Sequence, residues 1–255
     1  MNKNFNVYSI KSGFKWLAEG FYIAATNPFS FIALNFLITI VLLFFMFSGT
    51  IMFVSFLIAV IQMIYFNASY SIYKNKKMVW ADLFKKLTTN NAIQGFIFIG
   101  LLYIGSLYIV GILNDSIFIQ ANTLMSEGYV PKDFFTRNLS RLVSPILMAY
   151  LIFVFFLWIP VLTAWEDMDF IEALKLSFKG TLQNFLPLTL MFMLIIGINI
   201  TLTIVLVNTP YSWIIELSAL FLMLFLNILV YVASFAAYKD IFMKKPITTS
   251  VVDGS

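Results

Sequence analysis

The sequence predicts an all-α polytopic membrane protein with six transmembrane helices arranged as three hairpins, each preceded by a cytoplasmic amphipathic interfacial helix. Three observations lead there. Of 255 residues, 61% are hydrophobic and only 11% charged, whereas a soluble domain carries about a quarter charged residues. The apolar residues gather into six long stretches, each near the roughly 20 residues a helix needs to cross about 30 Å of hydrocarbon. Lysines and arginines stay out of those stretches and alternate in density along the chain.

The spans fall at 29–48, 50–70, 92–113, 142–165, 185–207 and 212–238. Spans one and two join around Ser48-Gly49-Thr50, and spans five and six through Asn208-Thr209-Pro210-Tyr211, both short and rich in helix breakers. Thirteen of the sixteen Lys and Arg residues lie in the alternate segments that include both termini. By the positive-inside rule those segments and both termini are cytoplasmic. The net charge of +4 is then a topology signal and attracts anionic headgroups, and no nucleic acid partner is expected.

Each hairpin has a surface segment before it. In the first, Phe14, Leu17, Ala18, Phe21 and Ala25 share one helical face, and Asn27-Pro28 ends the helix. In the second, over 78–89, Trp80, Leu83, Phe84 and Leu87 form a stripe opposite Asp82, Lys85 and Lys86. In the third, Phe170, Ile171, Leu174, Phe178 and Leu182 form the stripe, Asp169 with Glu172 makes a capping box, and Asn184 precedes span five. The segment 114–141 is the one sizeable external loop. Residues 1–245 form a single membrane domain, the polar tail 246–255 is disordered, and no cleaved signal peptide is expected at the N-terminus.

The chain contains no cysteine and no histidine. Disulfides, thiolate nucleophiles, His or Cys ligation of zinc or haem, and imidazole acid–base chemistry are therefore excluded, and neither an enzyme nor a cofactor is expected. The acidic group Glu166, Asp167, Asp169 and Glu172 matches no Ca²⁺ loop and is explained by helix capping and the helix dipole.

The remaining candidates are intramembrane polar groups and interfacial residues. Glu216 lies four residues into span six, roughly 6 Å deep, where it can reach interfacial water, pair with Arg137 or Arg141, or serve an ion or substrate. Asn199 and Asn227 are the best pair for a polar path between spans five and six, while Asn35, Gln62, Asn67, Thr201 and Thr203 suit bonds between helices. Pro160 kinks span four and frees a backbone carbonyl, and Ala233 with Ala237 gives span six a small-residue face. Trp16, Trp80, Phe84, Lys85 and Lys86 are candidate contacts for lipid or a partner, the lysines within a run that includes Lys74, Lys76 and Lys77.

Two stretches also carry a family likeness. Ser12-Gly13-Phe14-Lys15-Trp16-Leu17-Ala18-Glu19-Gly20-Phe21 with Asn27-Pro28 is one. Thr163-Ala164-Trp165-Glu166-Asp167-Met168 with Glu172-Ala173-Leu174, Ser177-Phe178 and Asn184 is the other. Together they resemble an uncharacterised family of six-span proteobacterial inner-membrane proteins, distant kin of the membrane domain attached to some glycerophosphodiester phosphodiesterases. The likeness covers most of residues 8–240 and implies architecture and an inner-membrane address, with no catalytic residues to carry over.

The functional expectation is a non-enzymatic envelope scaffold or assembly factor that binds lipid or another membrane protein through its cytoplasmic collar. The alternative is a small transporter or channel with a polar path between spans five and six.

Overall fold

The computed structural model describes residues 6–48, 51–126, 147, 150–208 and 213–243, and every regular element among them is helical. Helix α1 (Ser12–Thr26) precedes α2 (Pro28–Phe47) and α3 (Ile51–Asn75), and a 3-10 turn at Trp80–Asp82 leads to α4 (Asn90–Ser126). An apolar helical stretch, Tyr150–Trp165, turns at Leu157 and Trp158 and finishes as α5 (Ile159–Trp165). Then come α6 (Phe170–Gln183), α7 (Phe185–Asn208) and α8 (Trp213–Tyr238), which widens into a π-helical turn at Lys239–Met243.

Among the described residues, four helices are long and apolar enough to cross a membrane: α2, α3, α7 and α8. They are not equivalent. The apolar windows of α3 and α8 are 56% and 72% buried, whereas those of α2 and α7 are 22% and 28% buried. The first two therefore make the core, and the other two give most of their surface to the surroundings. That surface holds Phe36, Phe44, Phe47, Leu186 and Ile200, an apolar area suited to hydrocarbon and too large to leave in water.

The exposed apolar stripes of α1 and α6 follow the same logic. On α1 the inward residues are Gly13, Trp16, Gly20, Ile23 and Ala24, and on α6 they are Ala173, Ser177, Gly180 and Thr181. Small residues let these short helices sit close to the bundle. Their large apolar residues, Phe14 and Phe21 on α1 and Ile171, Phe178 and Leu182 on α6, are left outside. Helix α1 packs chiefly on α8 and next on α7. At the crossing, a Cβ on Gly20 would lie 2.7 Å from the Ala233 backbone, so the small-residue face of α8 is where α1 docks.

Pro160 falls in the first turn of α5, just after the break at Leu157 and Trp158. Proline has no N–H, so the Phe156 carbonyl four residues earlier has no α-helical donor, and at the break the Trp158 N–H turns to the Ser177 hydroxyl. Carbonyls around the break take donors from outside the helix. The Thr181 hydroxyl donates to the Val154 carbonyl at 3.1 Å, the Ser177 hydroxyl to Phe155 at 2.8 Å, and the Gln62 amide to Leu157.

Two sequence expectations are corrected. The segment 78–89 is a 3-10 turn followed by further turns, because the Leu83 and Lys85 carbonyls are taken by Asn67 and Lys86 adopts φ 60°, which an α-helix does not accommodate. The external loop begins later than expected, since α4 continues through Asn114 and Asp115 to Ser126. No glycine or proline stands between Gly111 and Gly128, so nothing in the sequence ends the helix there. The rest of that loop, the 246–255 tail, Arg137 and Arg141 lie outside the described residues.

Substituting Gly20 tests the docking of α1. Gly20→Ala should lower stability by about 1–3 kcal/mol through overpacking. Gly197→Ala, where a Cβ meets nothing within 4 Å, should be neutral or stabilising by up to about 1 kcal/mol. Thermal unfolding of the two variants in detergent measures the contrast, and equal effects would be inconsistent with the close crossing.

Candidate functional site

Polar side chains concentrate where α3, α5 and α8 end and α4 and α7 begin. The organising residue on one side is Asn67, which is buried on α3. Its amide donates to the carbonyls of Leu83 and Lys85 at 2.9 and 3.1 Å, and its oxygen accepts the Trp165 indole N–H at 2.8 Å. One helical turn on, the Ser71 hydroxyl donates to the Lys77 carbonyl at 3.3 Å and accepts the Val79 N–H at 3.0 Å. The turn from Lys77 to Lys86 is thereby stitched onto α3.

That stitching places two lysines. Lys85 pairs with Asp82 at 2.6 Å, and Lys86 donates to the Trp165 carbonyl at 2.6 Å. With Lys74 from the end of α3 they line a cavity of about 500 Å³, whose walls also include Tyr70, Ser71, Trp165 and Glu166. Trp80 and Phe84 are exposed on the same turn. The structure thus brings Lys85 and Lys86 to one cavity and leaves the two aromatics available to the surroundings.

Trp16 is placed differently. It is fully buried, packs edge-on to Tyr8 at 5.5 Å, and donates its indole N–H to the Asp240 carboxylate at 3.1 Å, so its ring faces protein and not lipid. The reason is the small-residue face of α1, which brings this side of the helix against α8. Asp240, itself fully buried, also accepts from Lys15 at 3.1 Å, while its backbone carbonyl accepts from the Asn6 amide and the Tyr8 hydroxyl. Lys239 pairs with Glu19 and lies 4.7 Å from the centre of the Tyr73 ring. Two ion pairs therefore lock α1 to the end of α8. Burial, and next the Asp240 charge, push the Tyr8 phenol above its ordinary 10.0.

The asparagines that follow α1 and α6 do more than end helices. Asn184 is buried, accepts the Tyr8 N–H at 2.9 Å and donates to the Asn6 carbonyl at 3.1 Å, tying the N-terminal segment to the start of α7. Asn27 donates to the Lys76 carbonyl at 3.4 Å. Asn91, at the start of α4, donates to both the carbonyl and carboxylate of Asp167 at 3.0 Å, where Asp167 takes φ 51°. Asp169 caps α6 by accepting the Ile171 N–H at 3.0 Å. Two members of the acidic group are thus engaged in local structure.

Two of the intramembrane candidates have described side chains. Asn199 donates to the Ile195 carbonyl of its own helix at 3.1 Å, and Asn227 is exposed on α8. The Glu216 side chain lies outside the described residues, although its backbone is helical. Sequence reasoning missed Asp240, Glu19 and Lys15 as a set. The available signal was an adjacent Lys239-Asp240 pair at the end of a span, facing Lys15 and Glu19 one turn apart on α1.

Comparison with protein-family models, with curated proteins and with solved structures gives no match.

Two measurements probe the α1–α8 lock. Asp240→Ala strands the buried Trp16 N–H and should cost about 1–3 kcal/mol, and Lys15→Ala, which leaves the fully buried Asp240 carboxylate without its cation, should cost at least as much. Tyr8 supplies a pH test. A phenol whose folded value is raised contributes stability that is fully present below pH 10 and lost as pH rises through the folded value. Tyr8→Phe should therefore flatten the alkaline decline in melting temperature above pH 10.

Proposed function

We propose that this chain is a six-span bacterial inner-membrane protein, built as three hairpins with both termini cytoplasmic. Its role is that of a non-enzymatic scaffold or assembly factor that holds lipid or a membrane partner at its lysine-rich end. The observation that carries this reading is the two-faced construction of α1 and α6. On each, glycines and other small residues let the helix approach the bundle, α1 adding Trp16 and Ile23, while large apolar residues such as Phe14, Phe21, Ile171 and Phe178 are left outward at the end where lysines and ion pairs collect. A helix that packs one side on protein and sets both large apolar and charged side chains outward fits the membrane interface, where acyl chains and headgroups meet. Exposed Trp80 and Phe84 on the lysine-bearing turn extend the same surface.

The use made of intramembrane polar groups supports a scaffold. Gln62 and Asn67 take backbone carbonyls, and Asn35 accepts the Tyr65 hydroxyl at 2.5 Å. These bonds hold helices together.

Topology and function are tested together. Alkaline phosphatase fused after residue 245 should be inactive, and fused between residues 127 and 146 active. In a deletion strain complemented at matched membrane levels, Trp80→Ser with Phe84→Ser, or Phe178→Ser with Leu182→Ser, should abolish rescue, while Asn199→Leu and Asn227→Leu should rescue nearly in full. The opposite ranking would replace the scaffold with a small transporter or channel.

A further inference from the structure

The cavity beside the Lys85–Lys86 turn is more constructed than a topology signal requires. Positive-inside sorting needs lysines on one side of the membrane, with no demand on where their ammonium groups point. Here the turn that carries them is stitched to α3 by the buried Asn67 amide, and each ammonium group is held, Lys85 by Asp82 and Lys86 by the Trp165 carbonyl. A lysine ammonium has three donors, so one bond apiece leaves donors for a ligand while directing the ammonium groups toward the cavity wall. Lys74 supplies a third cation from the last turn of α3.

We propose that this cavity binds the phosphodiester headgroup of a glycerophospholipid, with Lys74, Lys85 and Lys86 taking the phosphate oxygens. The proposal rests on the membrane-surface reading above, since it needs this end of the bundle at headgroup depth. Size and charge both fit. At about 500 Å³ the cavity is within the roughly 300–1,000 Å³ of small-molecule sites and has room for a phosphate with its glycerol. Three lysines against Asp82 and Glu166 leave one net positive charge, the complement of a phosphodiester monoanion and a poor match for a dianionic phosphomonoester. Tyr70 and Trp165, 5.4 Å apart between ring centres, supply an aromatic wall of the kind found at headgroup level.

Native mass spectrometry of the full chain in detergent tests this, with phosphatidylglycerol against diglucosyldiacylglycerol, an uncharged lipid without phosphate, as the two probes. Phosphatidylglycerol should bind preferentially. Lys74→Gln should weaken it about fivefold and Lys74→Gln with Lys86→Gln more, while Lys74→Arg should retain it and Lys175→Gln with Lys179→Gln, the same charge change on α6, should leave it unaltered. Because Lys74→Gln alters an exposed side chain, its melting temperature should stay at the parent value, which separates lost binding from lost fold. Equal binding of the two lipids, or equal weakening by the α6 control, overturns the site. Displacement of lipid by millimolar glycerol 3-phosphate overturns the lipid assignment in favour of a soluble phosphate ester. A failure here, with the topology fusions and collar variants behaving as stated above, removes the headgroup site and leaves the scaffold intact.

Discussion

The structure depends on one constraint: an apolar solvent offers nothing to an unpaired backbone N–H or C=O. Inside a regular helix the constraint is met automatically. Every departure from regularity must be repaired by a side chain, at several kcal/mol if it is not. At the lysine-rich end the chain departs repeatedly, at the Leu157–Trp158 break and in the turns after α3, α5 and α6. Each departure has a repairing side chain. Ser177, Thr181 and Gln62 serve the first, Asn67 and Ser71 the second, Asn91 the third, and Asn184 the fourth. The polar residues of this end of the bundle thus satisfy backbone groups where the chain bends, and they also fix where it bends.

That repair work explains why the N-terminal segment and the end of α8 belong to the same structure. Asn184 holds the backbone at Asn6 and Tyr8, and the residues just beyond hold Asp240. A fully buried carboxylate is expensive unless charge and hydrogen bonds surround it. Lys15 supplies charge and Trp16 a neutral donor, from adjacent positions on α1. The close approach of Gly20 to Ala233 brings α1 near enough for both. Small-residue packing and the ion pairs are therefore parts of one arrangement, in which removing either strands the other.

Some of this was legible in the sequence and some was not, for physical reasons. Long apolar runs are a composition signal, and four of the described helices are long and apolar enough to cross a membrane. The asparagines that end α1 and α6 were visible because short polar side chains favour helix ends. What could not be read was sidedness. Phe14 and Phe21 define an apolar stripe, and in a soluble protein that stripe would face the core, yet here Gly13, Gly20 and Ala24 do. In lipid a large apolar face is free to stay outside, and close packing favours the face with the glycines, on which Trp16 and Ile23 also sit. The same rule hid Trp16, whose aromatic character suggested the interface while its neighbours on the helix placed it inside. The segment 78–89 misled for another reason. Its i, i+3, i+4, i+7 pattern is helical, but Asn67 lies far off in sequence and claims the carbonyls that a helix would use.

At the cavity, the residues that repair the backbone are also those that place the lysines. Asn67 must satisfy the carbonyls of Leu83 and Lys85 whatever the protein does, and in doing so it sets the positions of Lys85 and Lys86. Trp165 accepts the Lys86 ammonium on its carbonyl because α5 ends there. Organising cations in this way carries little extra conformational cost, since the backbone bonds are already required. The entropy that a flexible lysine would lose on gripping a phosphate is in part lost on folding. Under the proposal above, a preorganised group of lysines would discriminate headgroups by geometry as well as by charge, which scattered interfacial lysines would not.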